Sequence, residues 1–341
     1  MAKILITGGA GFIGSNFARR IAREHPAWQI TVIDKLTYAG TLDNLVELDG
    51  HPGFRFVKGD ICDRSVVDPL VKECDFLVNF AAETHVDRSI EEAGSFVMTD
   101  VFGVYVLLES ARAHGLDRFL HVSTDEVYGE AHAEPCREDA TLEPKSPYAA
   151  SKAGGDRLAF SYWATYGMPV VVTRCTNNYG PNQYPEKMIP LFVTNALRGE
   201  QMPVYGTGKN TRDWIYVEDH CRALEMILQA GTLKETVYNI GTGEELSILE
   251  IADLILAELN LGKDRIVRVE DRPGHILRHA VNTGRIRAEL GWEPQVAVNE
   301  GMGRTVRWYR ENEAWWTRLR SGEFEAYYRK HYVDRRGLEK S

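Results

Sequence analysis

The sequence predicts an α/β protein: a doubly wound parallel sheet, with a smaller and partly interleaved C-terminal α/β domain. Three features predict it. Short apolar runs alternate with longer helical patterns through the first half of the chain, as strands and crossover helices of a parallel sheet do. The first run, Lys3-Ile4-Leu5-Ile6-Thr7, leads directly into Gly8-Gly9-Ala10-Gly11-Phe12-Ile13-Gly14 and then into a helical pattern. The second run, Gln29 to Ile33, ends at an acid, Asp34.

Each element follows in order. Lys3–Thr7 reads as a buried strand, and the helix after the glycines runs to about Ala22. Gly8, Gly11 and Gly14 let the turn tighten and let backbone N–H groups approach a pyrophosphate at the helix N-terminus. Asp34 stands where an acid binds the ribose of an adenosine. Its carboxylate accepts from a 2′-hydroxyl and repels a 2′-phosphate, which favours NAD over NADP even with Lys35 beside it. Phe54-Arg55-Phe56-Val57 is the third strand, and it precedes Gly59-Asp60-Ile61, placing Asp60 near an adenine. Phe76 to Phe80 is the fourth, before Ala81 and Ala82, small residues past which a cofactor backbone fits. A helix is expected over Thr99–His114, a buried strand over Arg118–Val122, a helix over Tyr148–Tyr166, and a strand over Val170–Arg174 that begins after Pro169.

Residues 1–180 therefore form a Rossmann-like dinucleotide-binding domain, to which 213–240 are expected to return, and 181–341 form the smaller substrate domain. Pro181, Pro185, Pro190 and Pro203, with Gly206 and Gly208, mark long loops in the latter. Glu250–Leu259 reads as a helix, and Thr305–Tyr332 as an aromatic, charged and helical stretch.

Composition narrows the function. The chain has 341 residues, 44% hydrophobic and 26% charged, the balance of a soluble globular protein. A net charge of −9 argues against a nucleic-acid partner. The five cysteines are scattered and form no CxxC, which points to reduced thiols in a cytoplasmic protein and to no metal site. The N-terminus enters the glycine turn at once and reads as neither a signal peptide nor a membrane span.

The chemistry concentrates between Ser123 and Lys152. Tyr148 and Lys152 are four apart and share a helix face. A phenol has a reference pKa of about 10, and a nearby ammonium and a nicotinamide cation both favour its phenolate. Such a phenolate takes a hydroxyl proton as hydride leaves the same carbon, with Thr124 near the same oxygen. Asp125 and Glu126 follow the strand end directly. Two carboxyls in one site can divide roles, one protonated as acid and one ionised as base. Loss of water from a sugar needs both.

Several motifs give the chain a resemblance. They are the Gly8/Gly11/Gly14 turn, the Tyr148/Lys152 pair, Thr124-Asp125-Glu126-Val127-Tyr128-Gly129, Arg174-Cys175-Thr176-Asn177-Asn178-Tyr179-Gly180-Pro181, Pro185-Glu186-Lys187, Tyr205-Gly206-Thr207-Gly208, Arg212-Asp213-Trp214 and Asp271-Arg272-Pro273-Gly274-His275. Over nearly its whole length the sequence resembles the extended short-chain dehydrogenase/reductase family, and within it the nucleotide-sugar 4,6-dehydratases. The resemblance implies tightly bound NAD, regenerated each cycle, with contacts from Gly8, Gly11, Phe12, Ile13, Gly14, Asp34, Lys35, Asp60, Ile61, Ala81, Ala82, Thr99, Tyr148 and Lys152. It implies catalysis by Thr124, Asp125, Glu126, Tyr148 and Lys152. Tyr148 is the base at the sugar C4 hydroxyl, Glu126 takes the C5 proton, and Asp125 protonates the leaving C6 hydroxyl. A nucleotide-diphosphate sugar is implied as substrate, contacted by Thr84, Asn178, Glu186, Lys187, Met188, Pro203, Tyr205, Arg212, Arg272 and His275. Lys187, Arg212, Arg272 and His275 are expected on its diphosphate. The resemblance favours dTDP-glucose, with UDP-glucose as the alternative, because Ile248 and Ile276 replace polar residues common in the family. An epimerase or decarboxylase on the same scaffold is the other alternative. A homodimer through helices 99–114 and 148–166 is also implied.

Overall fold

A computed structural model describes residues 1–234, 236–320 and 322–333. Thirteen strands follow in chain order: β1 (Lys3–Thr7), β2 (Gln29–Asp34), β3 (Phe54–Lys58), β4 (Phe76–Asn79), β5 (Arg118–Thr124), β6 (Val170–Cys175), β7 (Asn177–Tyr179), β8 (Met202–Tyr205), β9 (Thr211–Tyr216), β10 (Val237–Ile240), β11 (Glu245–Ser247), β12 (Ile266–Val269) and β13 (Arg278–His279). Seven of them form one parallel sheet in the order β10-β6-β5-β4-β1-β2-β3. The direction of winding reverses between β1 and β4, and ligands of open α/β sheets bind outside the strand ends at that point. Here those ends carry the glycine turn, after Thr7, and Ala81-Ala82, after Asn79.

The sheet strands read as near-continuous apolar runs because both faces are covered. One face packs on the helix Phe12–Glu24 and the helix Val217–Gln229, with Phe17, Ile21, Leu224 and Ile227 fully buried. The other face packs on Val104–His114 and Pro147–Tyr166, through Leu107, Leu108 and Ala159. The first of these helices is longer than its sequence pattern suggests. It begins at Gly94 and passes through a π-helical turn, Met98–Gly103, before reaching Val104. A long apolar stretch of this kind would span a bilayer by length and composition, but half of it is buried inside the protein.

The second layer is built on β9, which pairs with β11, β13 and β7, and on the β8–β12 pair. Its own core holds Phe192, Trp214, Ile251, Ile255, Tyr309 and Trp316. The helix Ile248–Leu259 starts with a reciprocal cap, in which Ser247 accepts from the Glu250 amide while Glu250 accepts from the Ser247 amide.

The chain crosses between the layers more often than its composition suggests. The expected boundary at residue 180 falls just after β7, which already belongs to the second layer. Residues 217–240 run back into the first sheet as a helix and β10, whereas 213–216 lie in β9. Ile286 and Trp292, in the 181–341 segment, are buried in the first core. The Thr305–Tyr332 stretch is helical in pieces, Val298–Glu311, Glu313–Leu319 and Glu323–Tyr328, followed by a π-type turn at Arg329–Val333. Positions 235, 321 and 334–341 of the expected second domain lie outside the described residues.

Candidate active site

A cleft of about 300 Å³ opens at the β1/β4 switch point and runs to the carboxyl end of β5. The glycine turn forms one wall. Gly8 has φ +65°, and a Cβ there would lie 2.6 Å from the Ala81 nitrogen. A Cβ on Gly14 would run into the Gly8 carbonyl oxygen, so the helix could not close on the turn. Gly11 differs, because a Cβ there meets only the Gly8 oxygen at 3.3 Å, leaving the backbone open toward the cleft. Tight turn, open approach and close helix packing are the three demands a bound pyrophosphate makes of such a loop.

The adenosine end is equally ordered. Asp34 accepts from the Ala10 amide at 2.9 Å and the Leu36 amide at 2.8 Å, which aims its carboxylate into the cleft. Lys35 does not counter that charge, because its ammonium lies 2.7 Å from Asp60. Ile61, Ala81, Ala82 and Thr99 line the same cleft. Taken together, these residues fit a dinucleotide without a 2′-phosphate.

At the inner end β5 stops at Thr124, and Asp125–Tyr128 turn as a 3₁₀ helix. Thr124 caps the turn by accepting the Glu126 amide at 3.2 Å. Asp125 is 3% exposed, its Oδ1 lies 3.3 Å from the Thr124 hydroxyl, and its Oδ2 has no partner. Burial and then the Glu126 charge lift its carboxyl to about 8, against the pull of Arg212. Near neutrality Asp125 therefore holds a proton, while Glu126 stands partly exposed on the cleft. Two adjacent carboxyls have been placed in unlike environments, as an acid and a base require.

Tyr148 and Lys152 come from the helix Pro147–Tyr166. Ser146 caps it by accepting the Ala149 amide at 3.1 Å, and Pro147 occupies the first turn. That start fixes Tyr148 in the first turn, facing the cleft. The four-residue spacing alone would have Lys152 draw Tyr148 toward phenolate. Instead the Lys152 ammonium donates to the Val122 carbonyl at 2.8 Å. Burial, with Glu126 and Asp100 nearby, raises the Tyr148 pKa, and a hydrogen bond with Thr124 opposes them. The protein's own groups thus favour the protonated phenol.

A buried network joins the two halves of this centre. Arg174, in β6, is 1% exposed and forks Asp156 with Nε at 2.8 Å and Nη2 at 3.0 Å. Its Nη1 donates to the Tyr128 hydroxyl at 2.7 Å, and that hydroxyl donates to Asn239 Oδ1 at 2.8 Å. Asp156 is one turn beyond Lys152, and Tyr128 closes the turn that carries Asp125 and Glu126. In the sequence Arg174 shows only as the end of an apolar run and the first residue of a motif, with no role attached. The signal was there, since a cation in a strand buried on both faces needs a buried partner.

The expected substrate residues divide. Thr84, Asn178 and Lys187 line the cleft, and Lys187 donates to the Thr84 hydroxyl at 2.9 Å. Arg212, which is buried, and the partly buried Arg272, His275 and Tyr205 form a group beside it. Arg212 donates to the Thr211 and Ile276 carbonyls at 2.7 and 2.8 Å, and Arg272 reaches Asp87 at 3.5 Å. His275 lies 2.6 Å from Asp271, and burial with Arg272 nearby lowers its pKa to about 4. The other three have partners within the protein. The Glu186 carboxylate is gripped by Arg88 at 2.7 Å, Met188 packs against the second core, and Pro203 is a β8 residue paired with Val267. Asp87, missed in the sequence, organises this region. It accepts from Tyr205 and Tyr327, both at 3.2 Å, which ties the C-terminal helix to the cleft.

A glycine-turn dinucleotide cleft that ends on a Tyr/Lys pair and a split carboxyl pair defines an oxidoreductase scaffold equipped for elimination. Comparison with known proteins agrees. The profile of the family described as GDP-mannose 4,6 dehydratase matches residues 5–305. A dTDP-glucose 4,6-dehydratase of Streptomyces niveus is 53% identical over 323 residues, covering 94% of this chain and 96% of that protein. The crystal structure of DesIV, a dTDP-glucose 4,6-dehydratase from Streptomyces venezuelae with NAD and TYD bound, superposes with a TM-score of 0.90 at 48% identity, covering 93% of this chain and 99% of that one. A Thermotoga maritima UDP-glucose 4-epimerase shares the scaffold at 29% identity and a TM-score of 0.84, covering 91% and 99%. The chain belongs to the extended short-chain dehydrogenase/reductase family, in its nucleotide-sugar 4,6-dehydratase branch.

Two outcomes follow from this geometry. If the protonated form of Asp125 is the acid, turnover should fall as pH rises through about 8, the value at which that proton is lost. A rate that stays level well above that value would contradict the assignment. Tyr128→Phe removes only the hydroxyl between Arg174 and Asn239. It should cost about 1 kcal/mol of stability and lower kcat with KM unchanged, because the acid–base turn loses its tether. Lost stability with unchanged kcat would make the link merely structural.

Proposed function

We propose that this chain is a dTDP-glucose 4,6-dehydratase that uses NAD. The observation that carries the reading is the carboxyl pair: a buried, protonated Asp125 beside a cleft-facing Glu126, next to Tyr148. The relatives at about half identity and the DesIV structure with NAD and TYD bound support the substrate and cofactor. An epimerase would share the oxidation at C4 but would have no task for Asp125 and Glu126.

Gly8, Gly11, Gly14 and Asp34 would hold the cofactor. Bound NAD supplies a hydride acceptor for C4 that is reversed at C6 in the same turnover. The chain's own residues move the protons. Tyr148 takes the C4 hydroxyl proton, helped by Thr124 at the same oxygen. Oxidation at C4 acidifies the neighbouring C5–H, and Glu126 removes that proton. Asp125 gives its proton to the C6 hydroxyl, which leaves as water. The product is a 4-keto-6-deoxy sugar nucleotide, and the proton balance closes when Glu126 returns its proton to C5, Tyr148 releases to solvent the proton it took from the C4 hydroxyl, and Asp125 regains one from solvent. Lys187, Arg212 and Arg272 neutralise the diphosphate and His275 offers it a ring N–H, since arginine matches phosphate oxygens with its fork.

The partner surface belongs to this proposal. Val97, Met98, Phe102 and Tyr105 on one helix, and Trp163 and Tyr166 on the other, are 41–53% exposed. A contiguous apolar face of this kind on two adjacent helices supports a homodimer. The five cysteines are all free, which supports a cytoplasmic location.

Incubation with dTDP-glucose should give a product lighter by one water, whereas an unchanged mass would favour epimerisation. The substrate preference over UDP-glucose should be roughly tenfold to two-hundredfold in kcat/KM, the scale on which one methyl discriminates; a hundredfold advantage for UDP-glucose would overturn the thymidine assignment. Glu126→Gln and Asp125→Asn should each lose roughly a hundredfold to ten-thousandfold in dehydration and accumulate reduced nicotinamide absorbance. Tyr148→Phe should abolish turnover without that absorbance. Equal accumulation in all three variants would dissolve the division of roles.

A further inference from the structure

His279 has no part in the reading above, yet its surroundings are unusual. It ends β13 and pairs in register with Arg212 of β9. Its neighbour Arg278 turns to the opposite side, forking Glu245 at 2.6 and 2.7 Å. Alternation along the strand therefore sends His279 to the side of Arg212. The groups that face it there are Arg212, Arg272 and His275. The imidazole is 4% exposed, and among the described residues neither ring nitrogen has a hydrogen-bond partner. Arg272 Nε is likewise buried and without a partner.

Buried nitrogens left unpaired are costly and rare. His279 meets only the positive charge of Arg212 and Arg272, whereas Arg272 also has Asp87 and Glu126 near it. Most of the other nearby carboxylates have partners of their own. Asp213 accepts from the Thr242 hydroxyl and the Gly243 amide, Glu130 from the Leu277 and Arg278 amides, Glu245 from Arg278, and Asp271 lies against His275. The group lacks an anion that would complete it, and the surplus of donors suits a phosphate.

We propose that His279 is a further ligand of the substrate diphosphate, donating a ring N–H to a phosphate oxygen beside Arg212 and Arg272. The inference rests on the sugar-nucleotide reading and adds a residue and a proton to it. Burial and the two guanidinium groups hold the imidazole pKa low, so the ring is neutral while the subsite has no anion. An entering diphosphate reverses the sign of that field, and His279 takes up a proton as the ligand seats.

The test uses thymidine diphosphate as probe, titrated calorimetrically at neutral pH in two buffers of different ionisation enthalpy. Wild type should bind with net proton uptake. His279→Phe keeps the ring volume and removes both nitrogens. It should melt no lower than wild type, bind roughly tenfold more weakly, and take up less proton. His279→Gln restores a donor without a titrating ring, so it should recover affinity but not the proton. Wild-type failure to bind the probe overturns the sugar-nucleotide reading and this inference with it. Unchanged affinity and proton uptake in His279→Phe overturn this inference alone, and so does a lowered melting temperature, since it would mean the ring nitrogens stabilise the fold.

Discussion

The ion pair between Arg174 and Asp156 is sealed inside the protein, with side chains 1% and 0% exposed. Removing either partner would strand a buried charge, which costs about 3–5 kcal/mol. The pair therefore locks the helix that bears Tyr148 and Lys152 to β6. Through Tyr128 and Asn239 the same guanidinium reaches the turn that bears Asp125 and Glu126, and β10 behind it. Redox and acid–base groups come from different elements, and they stay in register because one fork touches the supports of both.

Burial then sets the chemistry. Asp125, at the floor of the cleft, keeps its proton because desolvation and Glu126 both penalise its anion. Tyr148 keeps its proton for the same two reasons. The protein's own groups thus favour the protonated phenol as well.

Much of the first sheet was legible because its signals are local. Apolar strand runs, the spacing of Gly8, Gly11 and Gly14, and the terminal acid Asp34 each depend on a few consecutive residues. The layered path of the chain was less so. β7 pairs with β9, and Trp292 enters the first core, through contacts between residues far apart that no local periodicity encodes. The early start of the long helix at Gly94 was hidden by a glycine and a π-type turn. Motif spacing singled out Thr124, Asp125, Glu126, Tyr148 and Lys152, which line the cleft, whereas Arg174 and Asp87 stood out only through the partners they hold and His279 only through burial without one among the described residues. Nothing in Pro185-Glu186-Lys187 reveals the grip of Arg88 on Glu186.

The central claim is that one site removes hydride from C4, eliminates water across C5 and C6, and reloads C6 without releasing the reduced cofactor. Turnover of dTDP-glucose carrying deuterium at C4 tests it most directly, with the label located in the product by NMR or mass spectrometry. The structure predicts that the label moves to C6 of the same molecule, in a product that has lost one water. Deuterium that stays at C4, or that washes out into solvent, would contradict the account.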